Sequence, residues 1–152
     1  MNEELELRMY CMVLYQLKPI QQGIQSQHAI TEYAEQHFND SNYRKWASKD
    51  KTTIILSAGG SNELNDAINS LLLNRVEIAE FKEPDLYDKT TAICFLVDER
   101  VWNKLKYPDP NLSYMMNSLI TLSSDTNSQF LETIGGQQNL FLRLFLANYK
   151  LA

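Results

Sequence analysis

RMYCMVLYQLKPIQQGIQSQHA, residues 8 to 29, changes from a nearly continuous apolar run to a polar one at a single proline. The run RMYCMVLYQL is rich in residues that favour strands, which indicates a strand buried on both faces. Pro19 suits the first turn of a helix, so we predict a helix from Pro19 to Phe38. A buried strand that leads directly into a helix is typical of a fold in which helices cover a sheet.

The predicted first helix has two different sides. At about 100° per residue, one side is apolar and contains Ile20, Ile24, Ala34 and Phe38, which is the pattern of a helix packed on a core. About a quarter turn away lies a polar stripe of Gln21, Gln25, His28 and Glu32. This stripe is either an ordinary solvated face or part of a functional site.

The following segments predict the rest of the sheet. Residues 51–58, 76–81 and 90–97 read KTTIILSA, VEIAEF and TTAICFLV, and each indicates a strand. Ser61 is a good N-cap for a helix whose leucines follow helical spacing up to residue 72. The short connection between the last two strands predicts that they pair antiparallel. The expected fold is therefore α/β, with a mixed four-stranded sheet and helices on both faces.

The character of the chain changes after residue 97, and we predict two regions, an α/β domain over 8–97 and a helical C-terminal extension over 98–152. DERVWNKLK looks helical, and further helices are predicted near Leu112 to Leu122 and near Leu140 to Tyr149. The last of these carries an apolar stripe of Leu140, Phe141, Leu144 and Phe145. We expect this stripe to be buried on the α/β domain or on a second subunit, as in a homodimer.

Charge limits the partners that the protein can bind. The formal net charge is −5, whereas a broad nucleic-acid-binding surface is usually basic. One local exception lies in a predicted helix through SNYRKWASK, beside Tyr43 and Trp46. The candidate RNA-binding residues there are Arg44, Lys45, Lys49 and Lys51. The alternative is a solvated junction between a helix and a strand.

Other classes of function are disfavoured. No stretch is long and apolar enough to span a membrane, and the acidic N-terminus does not resemble a signal peptide, so we expect a cytoplasmic protein with no membrane contact. Cys11 and Cys94 lie in strand-like runs and are expected to be buried free thiols. Two cysteines and two histidines without ligand-like spacing argue against a structural zinc site.

Two short segments carry the candidate chemistry, GIQSQHA at residues 23–29 and FKEPDLYDKTTAI at residues 81–93. Together, and in this order of elements, they resemble the archaeal and eukaryotic type of peptidyl-tRNA hydrolase and its compact relatives in bacteria and their viruses. The family's Q-x-x-H-A motif corresponds to Gln25, His28 and Ala29, with Lys18 in the loop before the helix. The compact relatives carry an E-P-D-L motif and a later T-A-I, which correspond to residues 83–86 and 91–93. The resemblance covers residues 8–97.

The resemblance implies an esterase that cleaves the ester between a peptide and the terminal ribose of tRNA, without a metal or an organic cofactor. Such a reaction needs a positioned water, a group that takes its proton, and donors for the developing oxyanion. The candidate catalytic residues are Lys18, Gln25, His28, Glu83, Asp85 and Thr91. In this assignment His28 is the base or orients the water, and Lys18 stabilises the oxyanion or a nearby phosphate.

The chain departs from the family pattern in two respects. The family's D-A-G-x-T segment is absent, so either Glu83 or Asp85 takes the place of its aspartate and orients His28. The family's basic character is also missing, and phosphate contacts dominate tRNA affinity. The alternative is therefore a catalytically inactive binding module on the same fold, which recognises a protein or a tRNA end. An unrelated α/β protein is the third interpretation.

Overall fold

The protein, analysed as a computed structural model that describes residues 4–110 and 124–152, is built on one mixed sheet. The strands are β1 (Leu7–Val13), β2 (Thr52–Ser57), β3 (Ala79–Glu83) and β4 (Lys89–Asp98), in the order β2-β1-β4-β3. β1 is parallel to β2 and antiparallel to β4, and β4 is antiparallel to β3. The predicted four-stranded α/β fold and the antiparallel last pair are thus confirmed.

Helices connect and cover these strands. They are α1 (Pro19–Gln36), α2 (Ser41–Lys45), a π-helical turn (Trp46–Asp50), α3 (Ser61–Leu73), α4 (Glu99–Trp102), α5 (Ser124–Ile134) and α6 (Gln137–Leu146). A 3₁₀ turn (Pro84–Leu86) joins β3 to β4. The helix predicted near Leu112 to Leu122 lies outside the described residues.

The side chains of β1 alternate between two separate cores. Met9, Cys11 and Val13 face α1 and the π-helical turn, where they pack with Ala29, Tyr33 and Trp46. Tyr10 and Met12 face the other side and pack with residues of α3, α4 and α6, including Leu64, Leu71, Val101, Leu142 and Phe145. Because both faces are covered, β1 is apolar throughout rather than alternately polar.

The buried side of α1 differs from the predicted one. The helix buries Gln25, Ser26, Ala29 and Tyr33, whereas Ile20 is 70% and Phe38 is 59% exposed. Two of the buried residues are small, which brings the helix backbone close to the sheet. The Ser26 hydroxyl donates to the Gln22 carbonyl, and Gln25 is hydrogen-bonded at both ends, so these polar side chains are buried with partners.

The C-terminal helix also presents a different face from the predicted one. Leu142 and Phe145 are buried, Leu140 and Phe141 are partly buried, and Leu144 is 65% exposed, so Leu144 does not pack on the α/β domain. The physical reason is Arg143, which shares the buried face of α6. Its guanidinium donates to the carbonyls of Arg100 and Tyr107 and pairs with Asp109. The pattern of apolar residues in the sequence cannot show that an arginine is buried together with its hydrogen-bonding partners.

Two boundaries differ from the sequence-based expectation. Ser61 is the first residue of α3, and Gly60 is the N-cap. β3 begins at Ala79 rather than at residue 76. Residue 76 belongs instead to the turn that ends α3, because the Val76 amide donates to the Leu71 carbonyl and its side chain is buried in the core on the α3 face of the sheet.

Residues 150–152 cover the second half of the outer edge of β2, from residue 55 to residue 57. The Ser57 amide donates to the Lys150 carbonyl at 2.9 Å, and the Ala152 amide donates to the Ile55 carbonyl at 2.9 Å. Leu56 and Leu151 face each other across this antiparallel bridge. A covered edge cannot pair with another exposed strand.

Candidate active site

A hydrogen-bonded network joins α1 to the ends of two strands. The Gln25 side chain is only 5% exposed. Its amide nitrogen donates to Glu83 Oε2 at 2.9 Å, at the end of β3. Its amide oxygen accepts a 2.7 Å bond from the Thr91 hydroxyl, near the start of β4. The predicted residues Gln25, Glu83 and Thr91 are thus brought together.

Thr91 reaches Gln25 because β4 contains a β-bulge. Phe81 lies opposite Ala92, but the next β3 residue, Lys82, lies opposite Thr90, so Thr91 has no counterpart on β3. Regular alternation would place Thr91 on the face of Ile93, away from α1. A bulge re-aims one side chain, and here it aims a fully buried hydroxyl at α1. The sequence contains no clear signal for this bulge.

The partners of Gln25 fix how its amide is oriented. A carboxylate accepts and a hydroxyl can donate, so the nitrogen faces Glu83 and the oxygen faces Thr91. Both polar ends of Gln25 are therefore occupied, and the Thr91 hydroxyl is as well. Gln25 and Thr91 position Glu83, which is the partly exposed member of the network.

The two candidate carboxylates have different surroundings. Glu83 Oε1 lies 3.4 Å from the Asp85 amide nitrogen, so this carboxylate also caps the turn that follows β3. Asp85 itself lies exposed in that turn. Of the two residues predicted as alternatives, Glu83 is the one that the network holds in place.

His28 lies one helical turn beyond Gln25 and stacks on Phe81 of β3. The ring centroids are 4.4 Å apart and the planes are inclined by 26°. Within residues 4–110 and 124–152, His28 forms no hydrogen bond or ion pair. Glu83, one of the two carboxylates expected to orient His28, is bonded to Gln25 instead. The other histidine, His37, stacks on Tyr33 and has its Nδ1 3.5 Å from Glu77.

Lys18 is the exposed N-cap of α1. It precedes Gln25 by seven residues, which corresponds to roughly 10 Å along the helix axis. Its ammonium group has no partner among the residues that the structure describes. Lys18 is therefore a free cation on the same helix as the network, without direct contact to it.

The predicted RNA-binding cluster lies elsewhere. Lys45 donates to the Leu5 carbonyl and pairs with Asp50, and Lys49 pairs with Glu4 at 2.7 Å. Arg44 lies over the Phe38 ring and Lys51 is exposed. These contacts place the cluster near the start of β1, whereas Ala92, beside the network, pairs with Val13 at its end. The seven residues of β1 separate the two by roughly 20 Å.

An open groove of about 480 Å³ also lies at the start of β1, away from the network. It contains the cationic side chains of Lys45 and Arg100, but each is paired with a carboxylate, Asp50 and Asp98 respectively. The groove therefore offers little uncompensated charge to an anion. We place the candidate site at the network, where the polar groups of three elements converge.

The pKa of Asp50 shows that this carboxylate is ionised beside Lys45 and compensates its charge. Burial tends to raise the pKa of Asp50, but the bonds from Lys45 and from the Leu7 amide outweigh it and hold the pKa below its usual value. The pair stabilises the junction between the π-helical turn and β1.

The cysteines are both free and buried, as predicted. They face each other on β1 and β4, and burial raises the pKa of Cys11 to about 12 and raises that of Cys94 further. A thiol that stays protonated is a poor nucleophile. Within the described ranges there is also no cluster of three side chains suited to a metal ion, and no helix long and apolar enough to cross a membrane.

No model of a known protein family matches the chain, and no curated protein matches it significantly. The resemblance to peptidyl-tRNA hydrolases therefore stays a prediction that depends on the motifs around Gln25 and Glu83.

Proposed function

We propose that the protein is a peptidyl-tRNA hydrolase-like esterase, which cleaves the ester between a peptide and the terminal ribose of tRNA. The observation that carries this proposal is the Gln25–Glu83–Thr91 network. Fixing a partly exposed carboxylate with a buried amide and a buried hydroxyl gives it a defined position, which general-base catalysis requires. The network includes the glutamine of the Q-x-x-H-A motif.

In the proposed reaction, Glu83 takes a proton from a water molecule through its Oε1, whose bond from the Asp85 amide is long at 3.4 Å, whereas Gln25 holds Oε2 at 2.9 Å. The water oxygen attacks the ester carbonyl carbon, and the exposed Lys18 side chain extends from the N-cap of α1 toward the ester to stabilise the resulting oxyanion. The bond between the carbonyl carbon and the ribose oxygen then breaks, and Glu83 returns the proton to that oxygen. The products are a peptide with a free carboxylate and a tRNA with a free hydroxyl.

A binding module without activity is the second candidate, and the charge distribution favours it. Two of the four cations in the predicted RNA-binding cluster are paired with carboxylates, and the cluster lies at the far end of β1. Weak phosphate contacts mean weak tRNA affinity. This candidate recognises a protein or a tRNA end through the same edge of the sheet.

The test is hydrolysis of diacetyl-lysyl-tRNA by the purified protein and by Glu83→Gln. We expect turnover by the wild type and a loss of about 10²–10⁴-fold in the variant, the usual contribution of a positioned acid–base group. Glu80→Gln is the matched control, because Glu80 lies on the same strand but accepts from Thr90 and does not join the network. A wild type without turnover rejects the esterase, and equal losses in both variants reject Glu83 as the base.

A further inference from the structure

The His28–Phe81 pair forms a flat aromatic surface beside the network. Phe81 is held in place by its pairing with Ala92 on β4, and it supports one face of the imidazole. His28 is exposed, so its other face is open to the solvent. Open aromatic faces bind planar rings, including nucleobases, by stacking.

The environment of His28 argues against the role of a general base. A catalytic histidine is normally oriented by a hydrogen bond to its second nitrogen. His28 has no such bond among the described residues, and Glu83, one of the two carboxylates expected to orient it, is bonded to Gln25. A stacked imidazole needs no such partner.

We infer that the exposed face of His28 binds the terminal adenine base of tRNA, an inference that rests on the proposed esterase function. The scissile ester and this base are attached to the same ribose, so they must bind within a short distance of each other. His28 is one helical turn from Gln25, with about 5–6 Å between their Cβ atoms, and Gln25 holds Glu83. His28 also stacks on Phe81, which lies two residues before Glu83 on the same face of β3, so both groups are within reach of one nucleoside.

Stacking also accounts for recognition by an acidic protein. A contact between aromatic faces needs no positive charge, whereas phosphate contacts do. With a net charge of −5, the chain would distinguish its substrate by the base at the end rather than by the tRNA backbone. The salt dependence of binding is accordingly expected to be shallow.

The experiment measures binding of an oligonucleotide ending in CCA, with 2-aminopurine in place of the terminal adenine, by the quenching of its fluorescence. We expect His28→Ala to weaken binding by about 5- to 100-fold, the usual effect of one stacked base. His28→Phe retains a stacking ring without a titratable nitrogen and should bind within about threefold of the wild type. His37→Phe is the matched control and should not change binding, since His37 lies nine residues further on, at the C-cap of α1, and stacks on Tyr33.

Parallel hydrolysis assays separate the two claims. If the wild type hydrolyses the ester but His28→Ala binds the oligonucleotide normally, the stacking inference is wrong and the esterase stands. If binding depends on His28 but no turnover occurs, the esterase is wrong and the stacking site stands. A His28→Phe variant that binds normally but loses turnover as His28→Ala does would restore His28 as a proton carrier. Binding of N-acetyl-tyrosine amide in place of the oligonucleotide would assign the surface to the peptide and overturn the inference.

Discussion

Gln25→Ala is expected to destabilise the whole fold, because Gln25 is a buried connection between three elements. The substitution leaves the Thr91 hydroxyl unpaired at 0% exposure, which costs about 1–3 kcal/mol. It also removes the bond to Glu83, whose carboxylate is partly exposed and can be rehydrated, so this loss is at the low end, about 1 kcal/mol. The free energy of unfolding should fall by about 2–4 kcal/mol in total, or about 5–15 °C in Tm for a chain of this size.

Urea unfolding followed by circular dichroism measures this change. Gln21→Ala is the matched control, since Gln21 lies exposed on the same helix and its loss should change stability by less than about 0.5 kcal/mol. Thr91→Val combined with Gln25→Leu should cost less than the sum of the single changes, because removing both partners leaves no unpaired buried group between them. Equal stabilities of Gln25→Ala and Gln21→Ala, or strict additivity in the double variant, would refute the reasoning.

Three further predictions concern the rest of the fold. Leu142→Ala should lower the free energy of unfolding by about 2–5 kcal/mol, whereas Leu144→Ala on the same helix should change it little; equal effects in thermal melts would contradict the packing of α6. Cys11 and Cys94 should react with a thiol reagent at pH 8 only after denaturant is added, and rapid labelling of the native protein would show that they are accessible. Asp50, whose folded pKa is depressed, contributes stability above its unfolded pKa, and that contribution is lost as the pH falls below about 4. The Tm of Asp50→Asn should therefore depend less on pH in this range than that of the wild type.

The sequence alone predicts the strands well and the helix faces poorly. The apolar runs of β1 and β4 can only be buried on both sides, so their patterns indicate central strands directly. The buried side of α1 follows instead from the hydrogen bonds of Gln25, which depend on residues 58 and 66 positions away. Arg143 in α6 is a similar case, because its partners lie in other segments.

Three of the six predicted catalytic residues, Gln25, Glu83 and Thr91, meet in the network, whereas Lys18, His28 and Asp85 do not form side-chain bonds to it. The motifs in the sequence include Gln25, Glu83 and Thr91, and in the structure hydrogen bonds connect these three residues. The bulge at Thr91 and the stacking of His28 on Phe81 both depend on the register between β3 and β4, which a motif does not specify. For the predicted RNA-binding cluster, the sequence shows the basic residues but not the carboxylates that pair with them. Lys45 and Lys49 are close in sequence, but they form ion pairs with Asp50 and Glu4 respectively.

The position of β1 between β2 and β4 has a consequence for synthesis on the ribosome. The Glu6 amide, just before β1, bonds to Glu99, which lies 93 residues later in the chain. At roughly 5–20 residues per second, β1 emerges several seconds before its antiparallel neighbour exists. During that interval β1 can pair only with β2, and the edge of β1 that β4 will occupy stays open. We expect a nascent chain arrested before residue 89 to bind holdase chaperones through β1, and to release them once β4 has emerged.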